Sequence, residues 1–347
     1  MVVNTASSLA DLGTTTSLMV SGSGHAYLDE RSSAVNLHVL KEAPQPAQIK
    51  ATLKDIRPDI VVTCKLVDDE RLVRSLVNWP SRPRLLFRVG NPIGHRLAAR
   101  GLGRLRLGWR RSKLRKLYHQ ADGYIAVSQG IAEDLVRHLQ IPSDRVDVLP
   151  NPTVTGELFS RATEGVPHAW FQSGAPPVIL SVGALRQQKD FGTLINAFAM
   201  VRSEVDSRLV ILGEGRQRAR LMALAQRLGI ADSVDLPGWV SNPHAYMSKA
   251  SAYVLSSLWE GSPNSLVEAA ALGVPLVATD CMSGPREILD NGRYGYLVPT
   301  QDVSSLANAL QHALQSPLDP AWTREAASPY RAEKSALAYQ QALSRYV

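Results

Sequence analysis

The residues best suited to chemistry lie in one run, Ser256-Ser257-Leu258-Trp259-Glu260-Gly261-Ser262-Pro263-Asn264-Ser265-Leu266-Val267-Glu268. Glu260 follows an apolar strand in a loop. Ser262 is expected to cap a helix with Pro263 at its first position and Gly273 just past its end. The free N–H groups at such a helix start, with the positive end of the dipole, form an anion site that suits a diphosphate. Glu260 and Glu268 have seven residues between them. Both cannot serve phosphate, because like charges repel. They suit hydroxyl donors, of the kind that a sugar and a ribose present. Taken singly, each glutamate is equally an ordinary solvated residue.

The elements that must position this run are legible as alternating short apolar stretches and longer helical periods, the pattern of parallel sheets covered by helices. In the first half SLMV, NLHVL, DIVVTC, RLLFRVG, GYIAVS and VDVLP are expected strands, and 46–57 and 129–140 expected helices, the second capped by Ser128. In the second half PVILSVG, RLVILG, VDLPGWV, AYVLSS and PLVATD are strands. Helices are expected over 191–202 and 216–228, from Pro263, and as a last pair after Asp302. The chain divides as 1–160, a Pro- and Gly-broken linker at 161–177, a second domain over 178–325, and a C-terminal helix at 326–347 that crosses back to the first domain. Ligands of two such doubly wound domains belong at the carboxyl ends of the strands, in the cleft where the domains face. Residues 2–12 carry a helical apolar face of Val2, Val3, Ala6, Leu9 and Ala10, so the opening strand of the first domain and the Gly-rich turn after it are expected to be absent from this sequence, either because the true start lies upstream or because the domain is built without them.

Composition narrows the partners. The 347 residues are 45% apolar, enough for two ordinary domains. Two cysteines, Cys64 and Cys281, are too few for a disulfide framework, and with no apolar leader this points to the cytoplasm. No Asp-x-Asp pair or His/Cys/Asp cluster has ligand spacing, so no metal and no cofactor is expected. Net charge is +7, and nine Lys and Arg residues fall between Arg96 and Lys116. They interleave with Leu97, Leu102, Leu105, Leu107, Trp109, Leu114 and Leu117, which suits a helix lying peripherally on an anionic membrane surface rather than nucleic acid. A solvated helix packed on its own domain by the leucines fits the same pattern.

The run Glu260–Glu268 resembles the paired-glutamate signature of retaining glycosyltransferase family four, whose fold is GT-B. Further segments resemble it in order and spacing: SVGALRQQKDFGTLINAFA at 181–199, LVILGEGRQRARL at 209–221, VDLPGWV at 234–240 and DCMSGPREILDNGRYGYLVP at 280–299. The last is similar to bacterial enzymes of lipopolysaccharide and capsule synthesis. The resemblance implies that Glu268 binds the ribose and Glu260 the hydroxyls of the donor sugar. It implies that the backbone of Gly261, Ser262, Pro263, Asn264 and Ser265 holds the diphosphate and sugar. Lys189, after the turn at Gly183, would pair with the diphosphate, and the backbone at Trp239 and Val240 would receive the base. Many relatives have Arg directly after that glycine; here Ala184 stands there, and Arg186 supplies the nearest charge. Relatives often carry a His after the fourth strand, where this chain has Cys64 and Lys65; Asn91 and His95 are the nearest acceptor-side candidates.

The expected activity is retaining, metal-independent hexosyl transfer from a nucleotide sugar, UDP-linked, to a lipid-linked or growing surface glycan. A non-catalytic nucleotide-binding remnant and a nucleotide-sugar epimerase of the same fold are the alternatives, and the GSPN loop with its paired glutamates favours transfer over epimerisation.

Overall fold

Six apolar runs of the first half fold as strands, and every strand pair is parallel. The computed structural model describes residues 1–22, 28–98 and 104–347. It divides into two units, Met1–Thr153 with Tyr330–Val347, and Val154–Pro329. The first unit runs α1 (Val2–Asp11), β1 (Ser17–Ser21), β2 (Asn36–Leu40), α2 (Pro46–Ile56), β3 (Ile60–Thr63), α3 (Leu66–Leu76), β4 (Arg84–Val89), α4 (Ile93–Ala98), α5 (Arg104–Tyr118), β5 (Gly123–Ala126), α6 (Gln129–Leu139) and β6 (Val146–Val148). β1 and β2 form one sheet, and β3, β4, β5 and β6 form another in chain order. β5 is buried along its length, as a central parallel strand must be, whereas β3 at the sheet edge exposes Val62. Ser128 caps α6 by accepting from the Ile131 N–H at 3.4 Å.

The expected helix at the chain's start is α1, and β1 comes only after it. The last helix, Ala332–Leu343, lies beside α1. Tyr339 and Ala342 join Leu9, Ile125 and Leu149 in one apolar cluster.

The basic run 96–116 spans α4 and α5. Arg100 and Leu102 lie outside the described residues. Leu97 and Leu114 are buried in the core of the unit, and Leu107 and Leu117 pack against it, while Trp109 is 68% exposed. These leucines hold the segment to its own domain, and Arg106, Arg115 and Lys116 face water.

The second unit runs α7 (Gly156–Ala162), β7 (Val178–Val182), α8 (Phe191–Glu204), β8 (Arg208–Leu212), α9 (Arg218–Arg227), β9 (Val234–Gly238), α10 (Pro243–Ser248), β10 (Ala252–Leu255), α11 (Asn264–Ala271), β11 (Leu276–Thr279), α12 (Pro285–Ile288), β12 (Tyr296–Val298), α13 (Val303–Gln315) and α14 (Pro320–Glu325). Its six-stranded sheet has the order β12-β11-β10-β7-β8-β9. Pro237 is tolerated in β9 because that strand is an edge. β12 was not expected from the sequence; its three residues are too few to display a period. The expected last pair of helices is three, with α14 between α13 and Ala332–Leu343.

Residues 161–177, expected as a linker, are held against the second unit. The Asn242 amide donates to the Arg161 carbonyl at 2.9 Å, and the Ser248 hydroxyl to the Ala162 carbonyl at 2.8 Å. His168 Nδ1 accepts from the Trp170 N–H, so Nε2 carries the proton and meets Asp235 at 2.9 Å.

Candidate active site

The sheet of the second unit changes direction between β7 and β10. From β7 the chain winds outward through β8 and β9, and from β10 through β11 and β12. The loops leaving the carboxyl ends of these two strands therefore diverge, leaving the crevice in which open α/β sheets bind ligands. Lys189 follows β7 and Glu260 follows β10.

These loops are bound to each other. The Lys189 ammonium donates to Glu260 Oε1 at 2.6 Å, and the Ser257 hydroxyl donates to the same oxygen at 2.7 Å. The Ser256 hydroxyl donates to the Lys189 carbonyl at 2.6 Å, Gln188 Nε2 to the Trp259 carbonyl at 2.9 Å, and the Leu258 N–H to the Gln188 carbonyl at 2.7 Å. On the far side the Ser283 hydroxyl, from the segment leading into α12, donates to the Glu260 carbonyl at 2.6 Å. The side chains of Lys189 and Glu260 are 17% and 9% exposed, so each is the condition for the other being buried as an ion.

Glycines permit this approach. The Lys189 stem lies over Gly183, where an added Cβ would come within 2.8 Å of Lys189 Cε. Gly213, in the GEG turn after β8, has φ +138°, and a Cβ there would meet the Gly183 carbonyl oxygen at 2.1 Å. Cys281 is buried nearby, and burial pushes its thiol up to about 12; the charge of Glu260 adds to the shift. It is a neutral thiol, not a nucleophile.

Helix α11 begins one residue later than its sequence suggested. Pro263 is its N-cap and makes no side-chain cap bond. Ser262 does not cap the helix. Its hydroxyl is buried with no hydrogen-bond partner, and Gly261 is buried beside it. The start of α11 therefore brings its first turn, with the positive end of the helix dipole, beside an unpaired buried hydroxyl. Glu268 sits one turn further on and is mostly buried. His244, from α10, lies with Nε2 3.7 Å from the Glu268 carboxylate, and its Nδ1 is buried without a partner.

The other sequence candidates are more dispersed. Arg186 is exposed at the head of the turn containing Lys189. Trp239 and Val240 follow edge strand β9, with Trp239 62% exposed and Val240 half-buried. In the first unit Asn91 is exposed in the loop after β4. His95, expected in that loop, is instead helical, because the buried Asp134 carboxylate accepts from the N–H groups of Ile93 and Gly94 and starts α4 before it. Burial lowers the His95 pKa, so its imidazole is neutral near pH 7.

The sequence placed Ser256 and Ser257 in the chemistry-bearing run only as the end of its strand, and Ser283 only in a segment similar to other enzymes, without assigning their hydroxyls a partner. His244 carried no signal and was missed.

Residues 1–156 match the family described as Glycosyltransferase Family 4, and residues 168–331 the one described as Glycosyl transferases group 1. The chain is 34% identical to the N-acetylgalactosamine-N,N'-diacetylbacillosaminyl-diphospho-undecaprenol 4-alpha-N-acetylgalactosaminyltransferase of Campylobacter jejuni, over 57% of this chain and 52% of that protein. It spans about half the length of the curated relatives it matches. Among solved structures, the lipopolysaccharide outer core galactosyltransferase WaaB aligns over 92% of this chain and 88% of its own at a TM-score of 0.69 and 21% identity. Anabaena HepE, in complex with UDP and glucose, aligns over 99% and 95% at 0.75 and 16%. At these identities the likeness shows the fold, which is GT-B. With the two halves matched in that order, the chain consists of a Glycosyltransferase Family 4 domain followed by a Glycosyl transferases group 1 domain.

Proposed function

We propose that the chain transfers a hexosyl unit from a nucleotide sugar, with UDP as the nucleotide, to a lipid-linked or growing cell-surface glycan, retaining configuration and using no metal. One observation carries this reading. At the switch point of the second unit, a buried lysine is fixed by a glutamate beside the start of α11, where the Ser262 hydroxyl is buried without an acceptor. A sugar diphosphate supplies that acceptor. The N–H groups around Ser262 to Ser265 hold the diphosphate, and Lys189 offsets the charge that grows on it as the glycosidic bond breaks. Glu260 keeps Oε1 on Lys189 and Ser257 and offers its other oxygen to a sugar hydroxyl. Glu268 accepts from the ribose, and the backbone at Trp239 and Val240 borders the base. Arg186, exposed on the same turn, adds positive potential at the entrance. Retention follows from the family, with the acceptor hydroxyl attacking on the face that the diphosphate leaves.

The names of similar proteins support a glycan acceptor: one acts on a diphospho-undecaprenol-linked sugar, another in the lipopolysaccharide outer core. A lipid-linked acceptor stays at the membrane, and the cationic face of α5 with exposed Trp109 suits peripheral contact with anionic lipid on the cytoplasmic side. None of the described helices is long and apolar enough to cross a bilayer.

The test is Glu268→Ala with UDP titrated by calorimetry. Two ribose hydroxyls lose their acceptor, a cost of about 1–3 kcal/mol or roughly 5- to 150-fold in Kd. Unchanged affinity would remove Glu268 from the ribose role. UDP binding without turnover of any nucleotide sugar would favour a binding remnant. Activity that fails with a chelator and returns with magnesium would overturn metal independence.

A further inference from the structure

We propose that the first unit carries its own phosphate site centred on Arg88, which takes the phosphate of the acceptor. Arg88 is the penultimate residue of β4, at the carboxyl end of the strand, where open sheets bind ligands. β3 and β4 pair with Thr63 beside Phe87, so Cys64 emerges next to Arg88. The guanidinium donates from Nε to the Tyr339 hydroxyl at 3.2 Å and from Nη2 to the Asn151 side-chain oxygen, and the Cys64 thiol lies close enough for the two groups to act on each other electrostatically. Tyr339 comes from the last helix and Asn151 from the segment after β6, so three parts of the unit converge on one cation.

Each of these partners is neutral. Burial raises the Cys64 thiol and the Tyr339 phenol, which keeps both protonated near pH 7. Asp69 and Asp68 act on Cys64 from α3, but Asp69 accepts from the Thr63 hydroxyl, and among the described residues no carboxylate pairs with Arg88. A half-buried guanidinium held, among the described residues, only by neutral groups is short of an anion. It is also short of acceptors, because it carries five N–H donors and, among the described residues, Tyr339 and Asn151 accept from two of them. Nη1, which donates to neither, faces Gly90. A Cβ built there meets nothing within 4 Å except Nη1, at 3.8 Å. Among the described residues, the guanidinium edge thus faces no other side chain at the head of the loop that bears Asn91. A planar fork of this kind matches phosphate oxygens.

The identity of the ligand rests on the transfer reading: a lipid-linked acceptor brings a phosphate or diphosphate to this unit, whereas free phosphate would offer the same chemistry. Inorganic pyrophosphate and farnesyl diphosphate, each titrated into UDP-saturated protein, separate the two sources. UDP titrated alone reads the second unit, so its failure counts against the transfer reading and not against Arg88.

Pyrophosphate is expected to bind wild type and to weaken about tenfold or more in Arg88→Gln, the factor that one lost charge-assisted hydrogen bond carries. Arg88→Lys should recover part of it, and Tyr339→Phe, which removes only a neutral prop, should leave it near wild type. Should Arg88→Gln fail to fold, Gly90→Val fills the open side while leaving the cation and its props in place, and is expected to weaken pyrophosphate with an unchanged melting temperature. Farnesyl diphosphate should compete with pyrophosphate and show the same dependence on Arg88. No binding to wild type, equal binding to Arg88→Gln or Gly90→Val, or an equal loss in Tyr339→Phe would reduce Arg88 to a structural clamp. Pyrophosphate binding without competition by farnesyl diphosphate would overturn the acceptor as the ligand.

Discussion

The pairing of Lys189 with Glu260 has a consequence for stability that can be worked out before any activity is measured. Both groups are mostly buried, at 17% and 9% side-chain exposure, and the ammonium lies 2.6 Å from its oxygen. Lys189→Ala strands a buried carboxylate beside Ser257, and Glu260→Ala strands a buried ammonium over Gly183. Breaking one side of such a pair costs about 3–5 kcal/mol, because the remaining ion keeps its desolvation penalty and loses its partner. For a unit of this size the loss lowers Tm by on the order of 10 °C. The double variant strands neither charge and loses the loop-to-loop bond only once. It should therefore be no less stable than the worse single variant, with a coupling energy of about 2 kcal/mol or more. Urea denaturation of the four proteins, analysed as a double-mutant cycle, measures this. If the double variant loses the sum of the two singles within about 0.5 kcal/mol, the groups act independently, and the claim that Glu260 holds Lys189 as a buried cation is wrong.

Other consequences are separate. Gly213→Ala combines a left-handed φ of +138° with a clash against the Gly183 carbonyl; it should cost at least about 1–3 kcal/mol of unfolding free energy measured by urea denaturation, and a loss under about 0.5 kcal/mol would mean the turn can shift freely. At Asp122 burial pushes the pKa up, but the Arg82 guanidinium at 2.6 Å and the Leu85 N–H at 2.7 Å outweigh it, leaving a pKa below the usual aspartate value. Its contribution is full above the unfolded pKa near ~4 and is lost as pH falls through the folded value. Asp122→Asn should flatten the acid limb of the stability curve; an unchanged limb would remove Asp122 from acid unfolding. For membrane contact, wild type should sediment with phosphatidylglycerol vesicles at low salt and be released at high salt, and Arg106→Glu, Arg115→Glu and Lys116→Glu together should abolish it. Arg111 is spared there because its guanidinium donates to the His138 carbonyl and helps end α6. Sedimentation unaffected by the three reversals would leave α5 a solvated structural element.

What the sequence made legible followed the length of the signal. Buried parallel strands are near-continuous apolar runs, and β4, β5, β7, β8, β10 and β11 were found for that reason. β12 has three residues and a tyrosine, too little pattern to distinguish from a loop. Residues 161–177 misled in the opposite direction: Pro and Gly broke every period, yet His168 meets Asp235, so the segment is fixed by contacts far along the chain. Composition describes local tendency, and such contacts are not local.

The same division runs through the candidate site. Glu260 and the start of α11 were visible because their residue types and spacing are peculiar, and Lys189 through the resemblance of the run 181–199, but that Lys189 and Glu260 share one hydrogen bond was not, since 71 positions separate them and only the adjacency of β7 and β10 brings them together. Ser262 shows the limit most clearly. Its type and position before Pro263 predict a cap, and local rules alone would assign its hydroxyl to the helix. The backbone instead starts the helix one residue later and leaves that hydroxyl buried and unpaired. A buried polar atom without a partner costs free energy wherever it occurs, so a position that departs from its local rule and bears that cost is where a ligand has most to supply.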